Sequence, residues 1–219
     1  FFILAFVVPL FVFGGVLARD ITEEVPRRLA LVPEGEGAQV RGEVFSLWNA
    51  EGSPFKVDRY EYPNGKGVLP RVGLTPQEAQ SLCAAKGARL CEADELALVC
   101  SSGRGERFLG GGEQGFFSGE TLGRLSSACN FGHVADERVR ALRPSGEKEE
   151  CRGAWGVYDL VGNANEWVNL AHREGFYGLL GSDYRYDDQR LLTCGAHILV
   201  PASFIEHLDL SAIGARCCR

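Results

Sequence analysis

Apolar residues run from Phe1 to Ala18 (FFILAFVVPLFVFGGVLA) without a charge, and no second run of comparable length follows. About 20 residues at 1.5 Å rise cross a hydrocarbon layer of roughly 30 Å, so residues 1–18 are expected to form a single transmembrane helix in contact with membrane lipid, kinked at Pro9. A secretory signal competes with that reading, because Val16-Leu17-Ala18 satisfies a small-residue cleavage rule, and a buried core helix is the third option. Residues 19–28 (RDITEEVPRR) are charged, aperiodic and interrupted by proline, as expected of a juxtamembrane linker. Beyond them the pattern shortens. Leu29, Leu31, Val40, Val44, Phe45, Phe55, Val57 and Tyr60 fall in brief alternations separated by Gly, Pro and Asn, which predicts short strands. Thr75-Pro76-Gln77-Glu78 predicts a helix start: Thr75 can cap, Pro76 suits the first helical position and Glu78 completes a capping box. The helix should run to about Lys86 and stop at Gly87, with Leu74, Ala79, Leu82 and Cys83 inward. A second is expected from Ala93 to Cys100, with Leu96, Val99 and Cys100 inward. From Ser101 to Arg152 the chain reads as loop, which must be functional or stapled. Gly110-Gly111-Gly112 within it is a flexible turn and no phosphate cradle, since no strand leads in and no Gly-Lys-Ser/Thr follows.

The 219 residues allow one large domain or two small ones, and one is expected; 45% hydrophobic and 24% charged residues exclude collagen, coiled coil and wholesale disorder. A net charge of -6 without any basic stripe argues against nucleic acid as a partner, because that affinity comes largely from clustered Lys and Arg. Twenty-eight glycines point to a turn-rich fold. Methionine is absent, so the sequence is expected to begin downstream of a translation start.

Eight cysteines (Cys83, Cys91, Cys100, Cys129, Cys151, Cys194, Cys217, Cys218) all lie after residue 28 and form no CxxC pair. His133, His172, His197 and His207 are not spaced to complete a zinc cluster with them. A disulfide framework is therefore expected, in an oxidising compartment on the extracytoplasmic (periplasmic or extracellular) side of a cell membrane. Arithmetic leaves the connectivity open, since eight cysteines allow 105 pairings.

Residues 153–167 (GAWGVYDLVGNANEW) resemble the GLYDMxGNVWEW signature of the formylglycine-generating, sulfatase-modifying-factor family. Other stretches fall in the family's order. Phe55 to Glu61 resembles its early "fyiDryEvT" strand, Pro70 to Cys83 its "PVxxVsWxeAxxYC", and Gly87 to Cys100 its "GkRLPTEAEWExAC". Leu180-Gly181-Ser182 is similar to "RGGSw", Thr193 to Ala196 to "rCaaR", and Gly214 to Cys217 to the terminal "GFRC". The resemblance covers residues 29–219. It implies an α+β, C-type-lectin-like fold of short antiparallel strands, two main helices and much loop.

By the same resemblance, Cys83 pairs with Cys217 and Cys100 with Cys194. Of the remainder, Cys129 and Cys151 bracket one loop, and Cys91 lies near the helix pair to which the C-terminus is tied; these imply Cys129–Cys151 and Cys91–Cys218. The family binds calcium at GNxWE, so the implied ligands are the Asp159 and Glu166 carboxylates and the Gly162 and Ala164 carbonyls. Six to eight hard oxygens suit that ion. The plainer alternative has Asp159 and Asn163 shaping turns while Glu166 pairs with an Arg. Asn130 resembles part of a second calcium site. Trp155, Tyr158 and Trp167 are expected in the core.

The family's oxidases hold copper on two thiolates between "RGGSw" and "rCaaR", and soft thiolates suit Cu(I). Here that interval, Ser182 to Thr193, holds no cysteine, so no catalytic residue is assigned. A related iron-dependent branch uses an HxxxHxE-like motif, which is absent, and Ser182, Asp183 and His197 do not make a nucleophile triad by spacing. The stretch from Gly178 to Val200 occupies the family's substrate-facing position. Its aromatic and charged residues, with neighbouring Tyr177, suit protein contacts: Tyr184, Arg185, Tyr186, Asp187, Asp188 and Arg190, against the plainer reading of a solvated loop. The expected function is a non-catalytic, membrane-anchored binding or scaffolding domain, an accessory subunit of a larger membrane complex. The alternatives are a divergent oxidase and a calcium-dependent ligand or glycan receptor.

Overall fold

The computed structural model describes residues 44–48, 52–101, 127–132, 140–153, 155–171, 173–185 and 197–219, all within the compact unit Leu31–Arg219. Residues 1–28, where the anchor and linker are expected, lie outside them, as do the Gly110–Gly112 turn and Leu29, Leu31 and Val40. Among the described residues no helix is long and apolar enough to cross a membrane.

Among the described residues, eight strands form two four-stranded sheets. The first has the order β1 (Val44–Trp48), β2 (Pro54–Asp58), β8 (Cys217–Cys218), β3 (Arg89–Leu90), every pair antiparallel. Alternation placed β1 and β2 correctly: Phe55 and Val57 are buried while Pro54 and Lys56 are exposed. The second sheet has the order β6 (His197–Pro201), β5 (Phe176–Leu180), β4 (Asn165–Val168), β7 (Ile213–Ala215), with β4 and β7 parallel. All four residues of β4 are buried, so its sequence, Asn-Glu-Trp-Val, shows no inside–outside alternation.

Helix α1 (Pro76–Ala84) begins on the expected capping box. The Thr75 hydroxyl accepts from the Glu78 amide while the Glu78 carboxylate accepts from the Thr75 amide at 2.8 Å. It ends two residues before the expected Lys86, because Gly87 takes a φ of +65° and the Ala88 amide turns back to the Cys83 carbonyl. Helix α2 (Ala93–Ser101) buries Leu96, Val99 and Cys100 as expected; Glu95 in its first turn accepts from the Glu92 amide at 2.9 Å.

Two cores result. One gathers Phe55, Val57, Leu96, Val99, Phe131 and Val168, and the other Leu74, Ala79, Leu90, Trp167, Leu179 and Ile213. Trp167 is fully buried and its indole N–H donates to the Leu74 carbonyl at 2.7 Å, while Tyr158 stacks on Tyr60 and Trp155 packs against the first core. Cys83–Cys217 is bonded as the resemblance implied, and Cys91–Cys218 and Cys129–Cys151 as the remaining cysteines suggested. The first two close separations of 134 and 127 residues, each worth about 4–5 kcal/mol by loop entropy, and both fasten onto the two-residue strand β8.

Candidate functional site

Gly162-Asn163-Ala164-Asn165-Glu166, with Asn165 where the family's GNxWE has tryptophan, forms the loop that enters β4, and its backbone needs unusual torsions. Asp159, Gly162 and Asn163 all have positive φ (55°, 79° and 62°). Only glycine fits at position 162, where a Cβ would lie 2.4 Å from the Asn130 carbonyl oxygen. Asn163 is the hub. Its side-chain amide donates to Glu61 (2.8 Å) and to the Arg143 carbonyl (3.1 Å), and its oxygen accepts from the Asn130 side chain and the Arg143 amide. The Asn130 side-chain amide donates also to the Ala141 carbonyl, so it is engaged within the loop network.

Under this loop lie three buried carboxylates and one buried guanidinium. Arg216, fully buried beside Cys217, donates to both Glu166 oxygens (2.7–3.1 Å), to the Asp58 carbonyl at 3.0 Å and to the Tyr158 carbonyl at 2.8 Å. Glu61 accepts from the Ala164 amide at 3.1 Å, the Ser145 hydroxyl at 2.7 Å and Asn163. Asp159 accepts from the Gly146 amide at 2.7 Å. Burial, reinforced by Asp159 and Glu166, holds the Glu61 carboxyl well above the usual range. Burial likewise pushes Asp159 up to about 6, against the opposing Gly146 hydrogen bond and Arg216. Desolvation would lower the Arg216 pKa, but Glu166, together with Glu61 and Asp159, more than offsets it, and the guanidinium stays charged.

Of the four implied calcium ligands, the two carboxylates already have partners, a donor set that does not suit a calcium cage. Both Glu166 oxygens face a guanidinium, and Asp159 and Glu61 each accept from the backbone. Among the described residues, ligand atoms of three or more His, Cys, Asp or Glu side chains converge only at Cys91, Glu95 and Cys218, whose sulfurs are disulfide-bonded. Glu61 and Arg216 fall within the matched motifs, but the sequence points to no role for either. The available signal was an arginine set between apolar Ala215 and Cys217, with no polar alternation to bring it to the surface.

The candidate contact residues are only partly described. Tyr177 is half-buried, its hydroxyl accepting from Gln77 at 3.3 Å and its ring edge-on to Trp167. The half-buried Tyr184 donates its amide to the Asn163 carbonyl at 3.1 Å. Arg185, 25% exposed, bonds the fully buried Asp183 and reaches Asp209 at 2.5 Å and Ser211 at 3.0 Å. The hydrogen bond to Asp183 raises its pKa, and Ser211 with Arg185 lowers Asp209 to about 2. Asp183 also accepts from Asn165 of β4 at 3.0 Å, so Arg185 braces this segment from within as much as it faces solvent. Tyr186, Asp187, Asp188, Arg190 and Cys194 lie outside the described residues, and so does the His197 side chain. Cys100 is disulfide-bonded, with its expected partner, Cys194, in that undescribed stretch. No described cysteine is free.

The profile of the sulfatase-modifying factor enzyme 1-like domain matches residues 38–214. The chain belongs to this family. Sulfatase-modifying-factor architecture also accounts for its structural likenesses, which extend to the C-type-lectin-like α+β fold. PvdO from Pseudomonas aeruginosa superposes with a TM-score of 0.57 at 14% identity, over 84% of this chain and 92% of that one. CarF gives 0.53 at 17% identity, over 76% and 86%. Treponema denticola variable protein 1 gives 0.54 at 11% identity, over 76% and 84%. At these identities the likeness is one of fold. No curated protein matches the chain in sequence.

Proposed function

We propose that this sulfatase-modifying-factor domain binds and scaffolds instead of oxidising, as the extracytoplasmic part of a membrane-anchored accessory subunit. One observation carries the reading: all seven described cysteines are in disulfides, which leaves them no thiolate for Cu(I). The interval from Ser182 to Thr193, where the family's oxidases place their copper thiolates, has Arg, Asp and Tyr in their stead. Hard oxygen and guanidinium groups are poor ligands for that soft ion. The apolar segment at residues 1–18 supports anchoring. Tyr177, Tyr184 and the residues after them offer the aromatic and charged mixture of a protein-contact surface.

Two measurements on the full chain, extracted in mild detergent, test this. Identification of co-purifying chains is expected to return a stoichiometric membrane partner, and a monodisperse lone chain in every detergent counts against it. Copper content and oxygen uptake with a cysteine-bearing peptide are expected at background, and turnover would return the domain to the oxidases.

A further inference from the structure

The geometry points to Arg216 as the resident cation of the GNxWE loop, in the role that the resemblance implied for calcium. The guanidinium is fully buried and places five donor contacts on three groups: both oxygens of Glu166 and the carbonyls of Asp58 and Tyr158. Those contacts tie the end of β2, the turn before Asp159 and strand β4 to the C-terminal strands. A structural metal ion would make the same cross-link. Calcium requires six to eight oxygens, and here the nearby acids are held by donors of the chain itself. Gly146 bonds Asp159, while Ala164, Ser145 and Asn163 bond Glu61. Asn163 has its own oxygen filled by Asn130 and Arg143. A dication on Glu166 would share that carboxylate with a buried guanidinium of like charge, in a low-dielectric interior that screens the two poorly. The loop is thus closed by an internal ion pair, and the domain holds its shape without calcium.

The test uses the full-length chain in detergent. After gel filtration in chelator-treated buffer, calcium content is expected far below one ion per chain. Melting in excess EGTA and in millimolar calcium is expected to differ by less than about 1 °C. A stoichiometric ion, or a calcium-dependent rise of more than about 3 °C, would overturn the inference. Arg216→Met uncovers Glu166 and is expected to make melting calcium-dependent. A folded Arg216→Met chain indifferent to calcium would deny Arg216 this role. Should that variant not fold in either buffer, ion content and melting of the unaltered chain decide the matter alone.

Discussion

Replacing Asp159 by Asn removes a buried charge while keeping an oxygen where the Gly146 amide donates at 2.7 Å. Folding raises this carboxyl from 3.8 to about 6, chiefly by burial, so ionising it inside the folded chain costs about 3 kcal/mol. The sign follows from proton uptake. Between about pH 4 and pH 6 the folded state holds a proton that the unfolded state has released, so this group's contribution is fully present below pH 4 and lost as pH rises to 6. Asp159→Asn lacks that dependence. Urea unfolding with the disulfides intact is expected to show the variant more stable than the parent by about 2–3 kcal/mol at pH 7.5, with the gap closing toward pH 4. A gap independent of pH, or a variant less stable at pH 7.5, would refute the reasoning, and the second result is what loss of a calcium ligand would produce.

Glu166→Gln strands the Arg216 charge in the interior and is expected to cost about 3–5 kcal/mol, read from the urea midpoint. Gly162→Ala drives a Cβ to 2.4 Å from the Asn130 oxygen at a φ of +79°, whereas Gly175→Ala at a φ of +78° meets nothing within 4 Å. By the same assay the first is expected to cost several kcal/mol and the second about 1, and equal costs would deny the close approach. Thr75→Ala removes the capping box of α1 and is expected to lower stability by about 1 kcal/mol, with loss of amide-exchange protection confined to that helix.

Much of this fold was legible because local chemistry and burial agreed. Thr75, Pro76 and Glu78 mark a helix start by capping alone, and Phe55 and Val57 alternate because β2 has one wet face. The second sheet was not legible by period. Strand β4 is buried on both faces, β7 and β8 have three and two residues, and the parallel β4–β7 pairing joins segments far apart in the chain. Two disulfides came from family resemblance, and only with those fixed did the placement of the leftover cysteines suggest Cys91–Cys218 and Cys129–Cys151, since spacing alone leaves all four undecided. The charge cluster was hidden for a different reason. Glu61 and Arg216 are far in sequence from the Asp159–Glu166 segment, and charged residues read as surface until tertiary contacts bury them together.

The state of the sulfurs decides between a binding domain and an oxidase. Mass mapping of the unreduced, denatured chain, with trapping of free thiols, tests it directly. The predicted result is four bridges, Cys83–Cys217, Cys91–Cys218, Cys129–Cys151 and Cys100–Cys194, with no trapped thiol. Two free cysteines in the native protein, accompanied by a stoichiometric copper ion, would contradict it.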